Sequence, residues 1–190
     1  MTRETRMPLH TQEKCTAAEL ASLPADGRTY ELVQGEVVMM VPAGARHGSV
    51  SARLLYLLAE HVYRHNLGTV YAAETGFQIA QDPDTVRAAD VAFVSRERLS
   101  PGEETDGYWP MAPDLVAEVA SPYDSATYLQ AKVMDWLKAG ARRVWVVYPD
   151  TRSIAVYYPS GQAVILQEGD FLDGEEILPG FRCPVREVFR

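Results

Sequence analysis

The spacing of apolar residues along the chain predicts two amphipathic helices. In residues 49–66 the apolar side chains recur at helical spacing, three or four positions apart. Residues 125–139 show the same periodicity and are closed by Gly140, a residue type that often ends helices. A third, shorter helix is indicated by Thr16 and Glu19, which have the T-x-x-E spacing of a capping box.

Strand-like segments fill the rest of the pattern. Residues 30–41 are rich in apolar and β-branched side chains around a Gln34-Gly35 turn signal, so they predict a hairpin. Residues 115–120 form a nearly all-apolar run, which is typical of a strand buried on both faces. The further predicted strands are residues 69–80, 86–94, 144–147, 153–158 and 163–167.

The order of these elements predicts how the strands pair. The turn-rich residues 81–84 should join segments 69–80 and 86–94 into an antiparallel hairpin. A helix separates the strands at 115–120 and 144–147, and a connection of this kind is normally right-handed and parallel. We therefore predict an α/β fold of the mixed α+β kind. A central mixed sheet is flanked by helices, with one hairpin near the N-terminus and another near the C-terminus.

The length of 190 residues favours one domain spanning residues 1–190, with residues 1–15 as a flexible N-terminal segment. The apolar fraction of 47% and the charged fraction of 23% are those of an ordinary globular protein. The longest apolar run is far shorter than the roughly 20 residues that cross a bilayer. The polar N-terminus also lacks the apolar centre of a secretory signal. We therefore expect a cytoplasmic protein with no membrane partner.

The net charge of −8 argues against a nucleic-acid partner, because affinity for DNA comes largely from cations that neutralise phosphates. Basic residues can still gather locally on an acidic protein. The candidates for such a patch are Arg46, Arg53, Arg142, Arg143 and Arg152. The charge by itself therefore leaves the partner open.

Two carboxylates inside strand-like segments are the first candidates for chemistry. Asp90 stands at the head of the apolar run DVAFV, and Glu118 lies within LVAEVA. Ionised carboxylates are costly to bury without partners, so these two require cations, hydrogen bonds or a metal ion. One interpretation pairs each acid with an arginine, such as Arg87. The other makes both acids ligands of a hard divalent ion such as Mg²⁺.

Lys132 lies on the helix that follows the Glu118 strand, at the flank of its apolar stripe. A lysine in that position is usually a surface residue whose stem covers apolar neighbours. Its functional interpretation is an ammonium that orients the attacking water and stabilises the charge that builds on a scissile phosphate. His47, which precedes the predicted 49–66 helix, either contacts phosphate or positions a water, or it is an ordinary helix-start residue.

The order of several motifs resembles one known family. YELVQGEVV, a His-headed helix, AADVAFVSRERL, PDLVAEVASP, a lysine-bearing helix and GARRVWVVYPDTRSIAVY are similar to the Uma-type restriction endonucleases of the PD-(D/E)XK nuclease superfamily. The likeness covers nearly the whole chain from Thr16 onward. It implies a restriction-endonuclease-like core in which acids on neighbouring strands bind Mg²⁺, or Mn²⁺ in its place, and a lysine assists.

The resemblance also implies which residues take these roles. The first acid matches Asp90 and the second matches Glu118. Ala89 stands where the motif has a proline, and Ala120 stands where it has a lysine. In the resembled family the cation comes instead from the following helix, at a position that matches Lys132.

Glu31, in the YELV motif of the resemblance, is either a further ligand or base or an outward-facing hairpin carboxylate. The resemblance and the candidate residues together predict a Mg²⁺-dependent nuclease that hydrolyses phosphodiester bonds, with DNA as the expected partner. Two other functions stay open: a nuclease-fold module that binds or assembles without catalysis, and a phosphohydrolase that acts on small molecules. The tyrosine- and tryptophan-bearing segments could also bury a homodimer interface.

Overall fold

The computed structural model describes residues 14–24, 26–99 and 106–190. Within these ranges lie the helices α1 (Ala17–Ala21), α2 (Ala45–His65), α3 (Ala126–Lys138) and α4 (Val185–Val188). The strands there are β1 (Thr29–Val33), β2 (Glu36–Met40), β3 (Gly68–Ala72), β4 (Gly76–Ala80), β5 (Thr85–Ala88), β6 (Val91–Ser95), β7 (Leu115–Val119), β8 (Arg143–Tyr148), β9 (Ser153–Tyr157), β10 (Ala163–Leu166), β11 (Phe171–Asp173) and β12 (Arg182–Pro184). None of these helices is long and apolar enough to cross a membrane.

Two sheets and a small ribbon make up the β structure of the described residues. Six strands form the central sheet in the order β10-β9-β8-β7-β6-β3, and four form a second sheet in the order β2-β1-β5-β4. β7 and β8 are parallel and are connected by α3, whereas the other pairs in the central sheet are antiparallel. The predicted mixed sheet flanked by helices is therefore confirmed, as is the parallel unit around α3.

The alternation of side chains along β7 divides the core into two layers. Leu115, Ala117 and Val119 pack in the layer that contains α2. Val116 packs in the layer that contains α3, and Glu118 points to the same side, because residues two apart on a strand share a face. The carboxylate of this strand is therefore aimed at α3 from within the core.

The chain between residues 69 and 94 differs from the prediction. Each of the two long strands predicted there is broken in the middle. β3 pairs antiparallel with β6 in the central sheet, and β4 pairs antiparallel with β5 in the second sheet. The antiparallel pairing is as predicted, but the prediction of one continuous hairpin is wrong. The first break contains Glu74 at a positive φ of 73°, and the second contains Ala89 and Asp90, where the chain passes between the sheets.

The long helix begins earlier than predicted. α2 starts at Ala45, ahead of the predicted start at Ser49. Its N-cap is Gly44, which offers no side-chain hydrogen bond, and Gly48 lies in its first turn, so the sequence lacks the usual signal of a helix start. His47 consequently lies inside the first turn of the helix and not in a loop before it.

The shorter N-terminal predictions are confirmed. Thr16 and Glu19 form the reciprocal capping box at the start of α1. β1 and β2 form the predicted hairpin, with Gln34 and Gly35 both at positive φ, as a tight hairpin turn requires. Most of the segment predicted to be flexible, residues 1–13, lies outside the described residues.

The C-terminal residues contain structure that the sequence pattern did not predict. β9 and β10 form the predicted hairpin, but the chain then adds the ribbon β11–β12 and helix α4. These two strands are too short for a periodic pattern to reveal them. The C-terminal segment nevertheless brings four side chains into the core layer that contains α2: Leu172 on β11, Leu178 and Phe181 between the two strands, and Val185 on α4.

Replacing Leu178 by alanine should destabilise the fold. The Leu178 side chain is fully buried, so its truncation leaves a cavity and should lower the free energy of unfolding by about 2–5 kcal/mol. Urea titration followed by tryptophan fluorescence measures this loss. Ile165→Ala, at an exposed position on β10, is the control and should change the same quantity by less than about 0.5 kcal/mol. If the free energy of unfolding fell no further in Leu178→Ala than in the control, the C-terminal segment would contribute no core packing.

Candidate active site at the junction of the two sheets

Asp90 and Glu118 lie side by side where the chain crosses between the sheets. Asp90 directly precedes β6, and Glu118 lies near the end of β7. The antiparallel register pairs Val91 with Ala117, so its continuation sets Asp90 opposite Glu118. The Val119 backbone N–H donates a hydrogen bond to Asp90 Oδ2 at 2.7 Å, which fixes the aspartate against β7. The two acids predicted as metal ligands are therefore neighbours.

Glu118 is held by two donors from α3. Lys132 Nζ donates to Glu118 Oε2 at 3.0 Å, and the Trp136 indole N–H donates to Glu118 Oε1 at 2.7 Å. The side chain of Glu118 is only 4% exposed. Lys132 and Trp136 lie about one helical turn apart, so one face of α3 presents both donors to β7.

Lys132 lies between three acceptors. Besides its contact with Glu118, its Nζ donates to the Ala88 carbonyl oxygen at 3.0 Å and lies 3.3 Å from Glu31 Oε1. An ammonium group has three N–H donors, so these contacts can occupy all of them. The interpretation of Lys132 as a surface residue is wrong, because its side chain is only 8% exposed. In this arrangement it is the counter-ion that allows two carboxylates to be buried at one point.

Glu31 belongs to the same cluster, and the alternative that it faces outward is wrong. Arg87 Nη1 donates to Glu31 Oε2 at 2.8 Å, and the Ala88 backbone N–H donates to Glu31 Oε1 at 3.0 Å. The other guanidinium nitrogen, Arg87 Nη2, donates to Asp135 Oδ2 at 2.6 Å. Glu31 lies on β1, Arg87 on β5 and Asp135 on α3, so this one arginine connects the second sheet to the helix.

His47 closes the cluster on the side of α2. Its Nε2 lies 3.2 Å from Asp90 Oδ2, and its Nδ1 lies 3.5 Å from the Ser51 hydroxyl, one turn along the helix. His47 and Asp90 are both partly exposed, and they line a cleft of about 760 Å³ together with Glu31 and Lys132. His47 is therefore more than an ordinary helix-start residue, since its ring contacts one of the two predicted metal ligands.

The cluster contains more negative than positive groups. Its carboxylates are those of Glu31, Asp90, Glu118 and Asp135, and its permanent cations are Lys132 and Arg87. Burial raises the pKa of Glu118 to about 7, and Asp90 acts in the same direction, while Lys132 opposes them. The hydrogen-bonding contact with Asp90 raises the pKa of His47. The excess negative charge of the cluster therefore favours the protonated forms of these two groups.

The remaining charged groups are held in their ionised forms. Burial alone would raise the pKa of Glu31, but Lys132 and Arg87 outweigh it and hold that pKa below its ordinary value. Burial alone would lower the pKa of Lys132, but Glu118, Glu31 and Asp90 raise it above its ordinary value. Lys132 is therefore an ammonium at neutral pH, which suits it to stabilise negative charge and not to remove a proton.

The donor set fits a hard divalent cation. Asp90 and Glu118 supply carboxylate oxygens, which Mg²⁺ and Mn²⁺ prefer. Within the described part of the chain both contacts of Asp90 fall on Oδ2, which leaves Oδ1 for a ligand. A divalent cation would also compensate part of the excess negative charge of the cluster. In residues 14–24, 26–99 and 106–190, no group of three or more His, Cys, Asp and Glu side chains is arranged to hold a metal ion. Oxygens from water and substrate would therefore have to complete the coordination.

The arginines considered for a basic patch each contact a carboxylate. The pairs are Arg46–Asp150, Arg53–Glu187, Arg142–Asp114, Arg143–Glu175 and Arg152–Glu168. An ion pair cancels most of the field that a single cation would present to a polyanion. These five arginines therefore do not form a surface of free positive charge.

The structure brings all of the predicted site residues to one place: Asp90, Glu118, Lys132, Glu31 and His47. Their catalytic and metal-binding roles stay predictions. The interpretation in which arginines pair with the two strand acids is wrong, because Arg87 contacts Glu31 and Asp135 instead.

Two contributors were missed by sequence reasoning. Trp136 has the helical spacing of a core residue, and it is buried, but its indole N–H also holds Glu118. The available signal is its position one turn after Lys132 on the same face. Asp135 precedes it and gives no such signal, because its partner Arg87 lies on a distant strand.

One protein family matches the chain over residues 17–186, a range that contains every residue of the cluster. That family is Uma2, with the description "Putative restriction endonuclease". The chain belongs to the Uma2 family. The resemblance inferred from the order of the motifs is thereby confirmed. None of the curated proteins compared with this Uma2 chain is significantly similar to it.

A crystal structure from Anabaena variabilis ATCC 29413, described as "a putative nuclease", has a similar fold. The TM-score is 0.79, and the similarity covers 92% of this chain and 97% of that one. The sequence identity is 19%, so this likeness shows the fold alone. It confirms the nuclease-like architecture predicted for this Uma2 protein.

The raised pKa of Glu118 predicts that stability falls as pH rises. Without divalent cations, the folded chain keeps a proton on Glu118 that the unfolded chain releases between about pH 4.5 and 7, so the free energy of unfolding should decline across that window. His47, whose pKa is raised from 6.5, adds a decline that begins above about pH 6.5. Glu118→Gln removes the group that titrates, so chemical denaturation at several pH values should show a shallower decline for this variant, whatever its overall stability. Parallel profiles for the two proteins would contradict a raised pKa at Glu118.

The buried contact between Arg87 and Glu31 predicts a large loss of stability in Arg87→Met. The variant leaves the Glu31 carboxylate buried with one cation fewer, which should lower the free energy of unfolding by about 3–5 kcal/mol. Arg64→Met is the matched control, because it breaks an exposed pair with Glu60 on α2 that contributes about 0.3–0.5 kcal/mol. Urea titration measures both losses, and a loss in Arg87→Met no larger than in the control would refute the structural role of this arginine.

Proposed function

We propose that the protein is a Mg²⁺-dependent nuclease that hydrolyses phosphodiester bonds, with DNA as the expected substrate. The observation that carries this proposal is the meeting of Asp90, Glu118 and Lys132 beside a cleft that opens to solvent. Membership of the Uma2 family, whose description names restriction endonucleases, supports the same activity.

The residues of the cluster divide the work of such a hydrolysis. Asp90 and Glu118 would hold the cation, which when bound polarises the phosphoryl oxygen and lowers the pKa of a water. Lys132 stays positively charged and would stabilise the negative charge that develops on the phosphate. Glu31 holds the ammonium group of Lys132 in place. His47 lies beside Asp90 at the open end of the cluster, where an imidazole can exchange protons at Nε2 near neutral pH.

One observation favours a second candidate, a nuclease-fold module without catalysis. Lys132 already has three acceptors, and both oxygens of Glu118 accept hydrogen bonds. A cluster paired in this way could serve only to hold the two sheets together. Titration calorimetry with Mn²⁺ separates the candidates, because the nuclease requires cation binding that depends on Asp90, whereas the module requires none.

A DNA substrate, a cytoplasmic location and a homodimer stay predictions. The homodimer hypothesis started from tyrosine- and tryptophan-bearing segments. The tryptophans are buried within the chain, whereas Tyr56, Tyr63 and Tyr123 are exposed. An interface between two copies would therefore have to use the tyrosines.

The nuclease proposal predicts that Asp90→Asn and Glu118→Gln each lower Mg²⁺-dependent cleavage of a labelled oligonucleotide by at least about a hundredfold. Lys132→Met should have a similar effect on turnover, because it removes the only ammonium in the cleft lining of the described residues. Glu168→Gln, which removes a carboxylate from an exposed pair with Arg152, is the control and should keep full activity. Circular dichroism checks that the variants are folded. Undiminished cleavage in both acid variants would end the assignment.

A further inference from the structure

The lining of the cleft has two chemically different parts. One part is the polar cluster. The other is an apolar run that we call the β2 wall, formed by Met39, Met40, Val41 and Pro42 at the end of β2 and just beyond it. Met39 is 52% exposed and Val41 is 73% exposed. Large apolar side chains left in solvent beside a polar site usually mark a surface that a ligand covers.

The size of the cleft and its charge do not suit a DNA duplex. A volume of about 760 Å³ lies in the range of small-molecule pockets, so the cleft can enclose a nucleotide but not a duplex. Among the described residues that line the cleft, the permanent cations are Arg28 and Lys132. Lys132 already contacts two carboxylates, while the contact of Arg28 with Asp26 is long, at 3.7 Å, and exposed. Arg28 is therefore the cation that a flanking phosphate can recruit.

The position of the β2 wall also distinguishes single strands from duplexes. In a duplex the bases are stacked inside and the phosphates face outward. A duplex therefore presents phosphates and not base faces to the residues that line a cleft, and a phosphate against the β2 wall would lose its hydration without a partner. In a single strand the base beside the scissile phosphate can turn outward and pack against apolar side chains.

We propose that the cleft binds a single-stranded segment of nucleic acid, with a nucleobase against the β2 wall and the adjoining phosphodiester at Asp90 and Glu118. This inference rests on the proposed nuclease function and adds the class of substrate to it. The affinity comes mainly from base packing, so binding depends only weakly on salt. One or two phosphate contacts give a slope of log Kobs against log salt concentration between about −0.7 and −1.4. A chain with a net charge of −8 can bind a polyanion in this way.

Binding is measured with Mg²⁺ on oligonucleotides with phosphorothioate linkages, which resist hydrolysis, because a phosphodiester beside Asp90 and Glu118 needs a cation to offset the carboxylates. Fluorescence anisotropy of a labelled oligonucleotide, alone or annealed to its complement, gives the two dissociation constants. We expect the single strand to bind at least about tenfold more tightly than the duplex. Met39→Ser should weaken single-strand binding by about tenfold, because it removes apolar packing without adding charge.

Val37→Ser is the matched control for Met39→Ser. Val37 is exposed on the same face of β2, two residues earlier, but it does not line the cleft. Its replacement should change the dissociation constant by less than about twofold. Equal weakening in the two variants would count against the β2 wall as the base-binding surface.

Hydrolysis with Mg²⁺ separates this inference from the nuclease function itself. Cleavage of the single strand but not of the duplex supports both. Equal cleavage of the duplex refutes the inference and leaves the nuclease function intact. Single-strand binding that responds to Met39→Ser, without any hydrolysis, keeps the inference and refutes the nuclease function. Hydrolysis of methyl p-nitrophenyl phosphate alone, with no binding of either oligonucleotide, overturns the inference in favour of a small-molecule phosphohydrolase.

Discussion

The ammonium group of Lys132 is the constraint on which the centre of this structure depends. It lies within 3.3 Å of carboxylate oxygens from Glu31 in the second sheet and from Glu118 in the central sheet. Two buried carboxylates without a cation would lose their hydration and repel each other. The close approach of the two sheets therefore requires α3 to deliver this charge between them. Arg87 is a second cation shared by two carboxylates, because it donates to Glu31 on β1 and to Asp135 on α3.

The site exists because the chain changes sheets within a few residues. β5 ends at Ala88 and β6 begins at Val91, so the link between them carries Asp90. At the last residue of β5, the Ala88 N–H donates to Glu31 and the Ala88 carbonyl accepts from Lys132. The end of β5 therefore positions Glu31 and Lys132, and the link that follows supplies the candidate metal ligand.

The charge of the protein limits how such a site can recognise a substrate. The five arginines considered for a basic patch are engaged by carboxylates, and the overall charge is −8. Long-range attraction of a polyanion is therefore weak, and recognition must come from contacts inside the cleft. The cleft combines the polar cluster with the apolar β2 wall. This combination favours a ligand that carries both a phosphate and an uncharged ring.

The sequence by itself determined the elements whose pattern is local. Periodicity predicted helix α3, the buried strand β7 and the strand β8 that lies parallel to it. The order of the motifs indicated the family and singled out Asp90 and Glu118 as candidate metal ligands. Only the tertiary structure decided that residues 69–94 divide between two sheets, that α2 begins at Ala45 and that the C-terminal ribbon completes the core. The partners of the buried charges were also decided there, since Arg87 meets Glu31 across 56 positions of sequence. Periodicity reports which face of an element is buried, whereas the pairing of buried charges depends on where distant elements pack, and no local pattern encodes that.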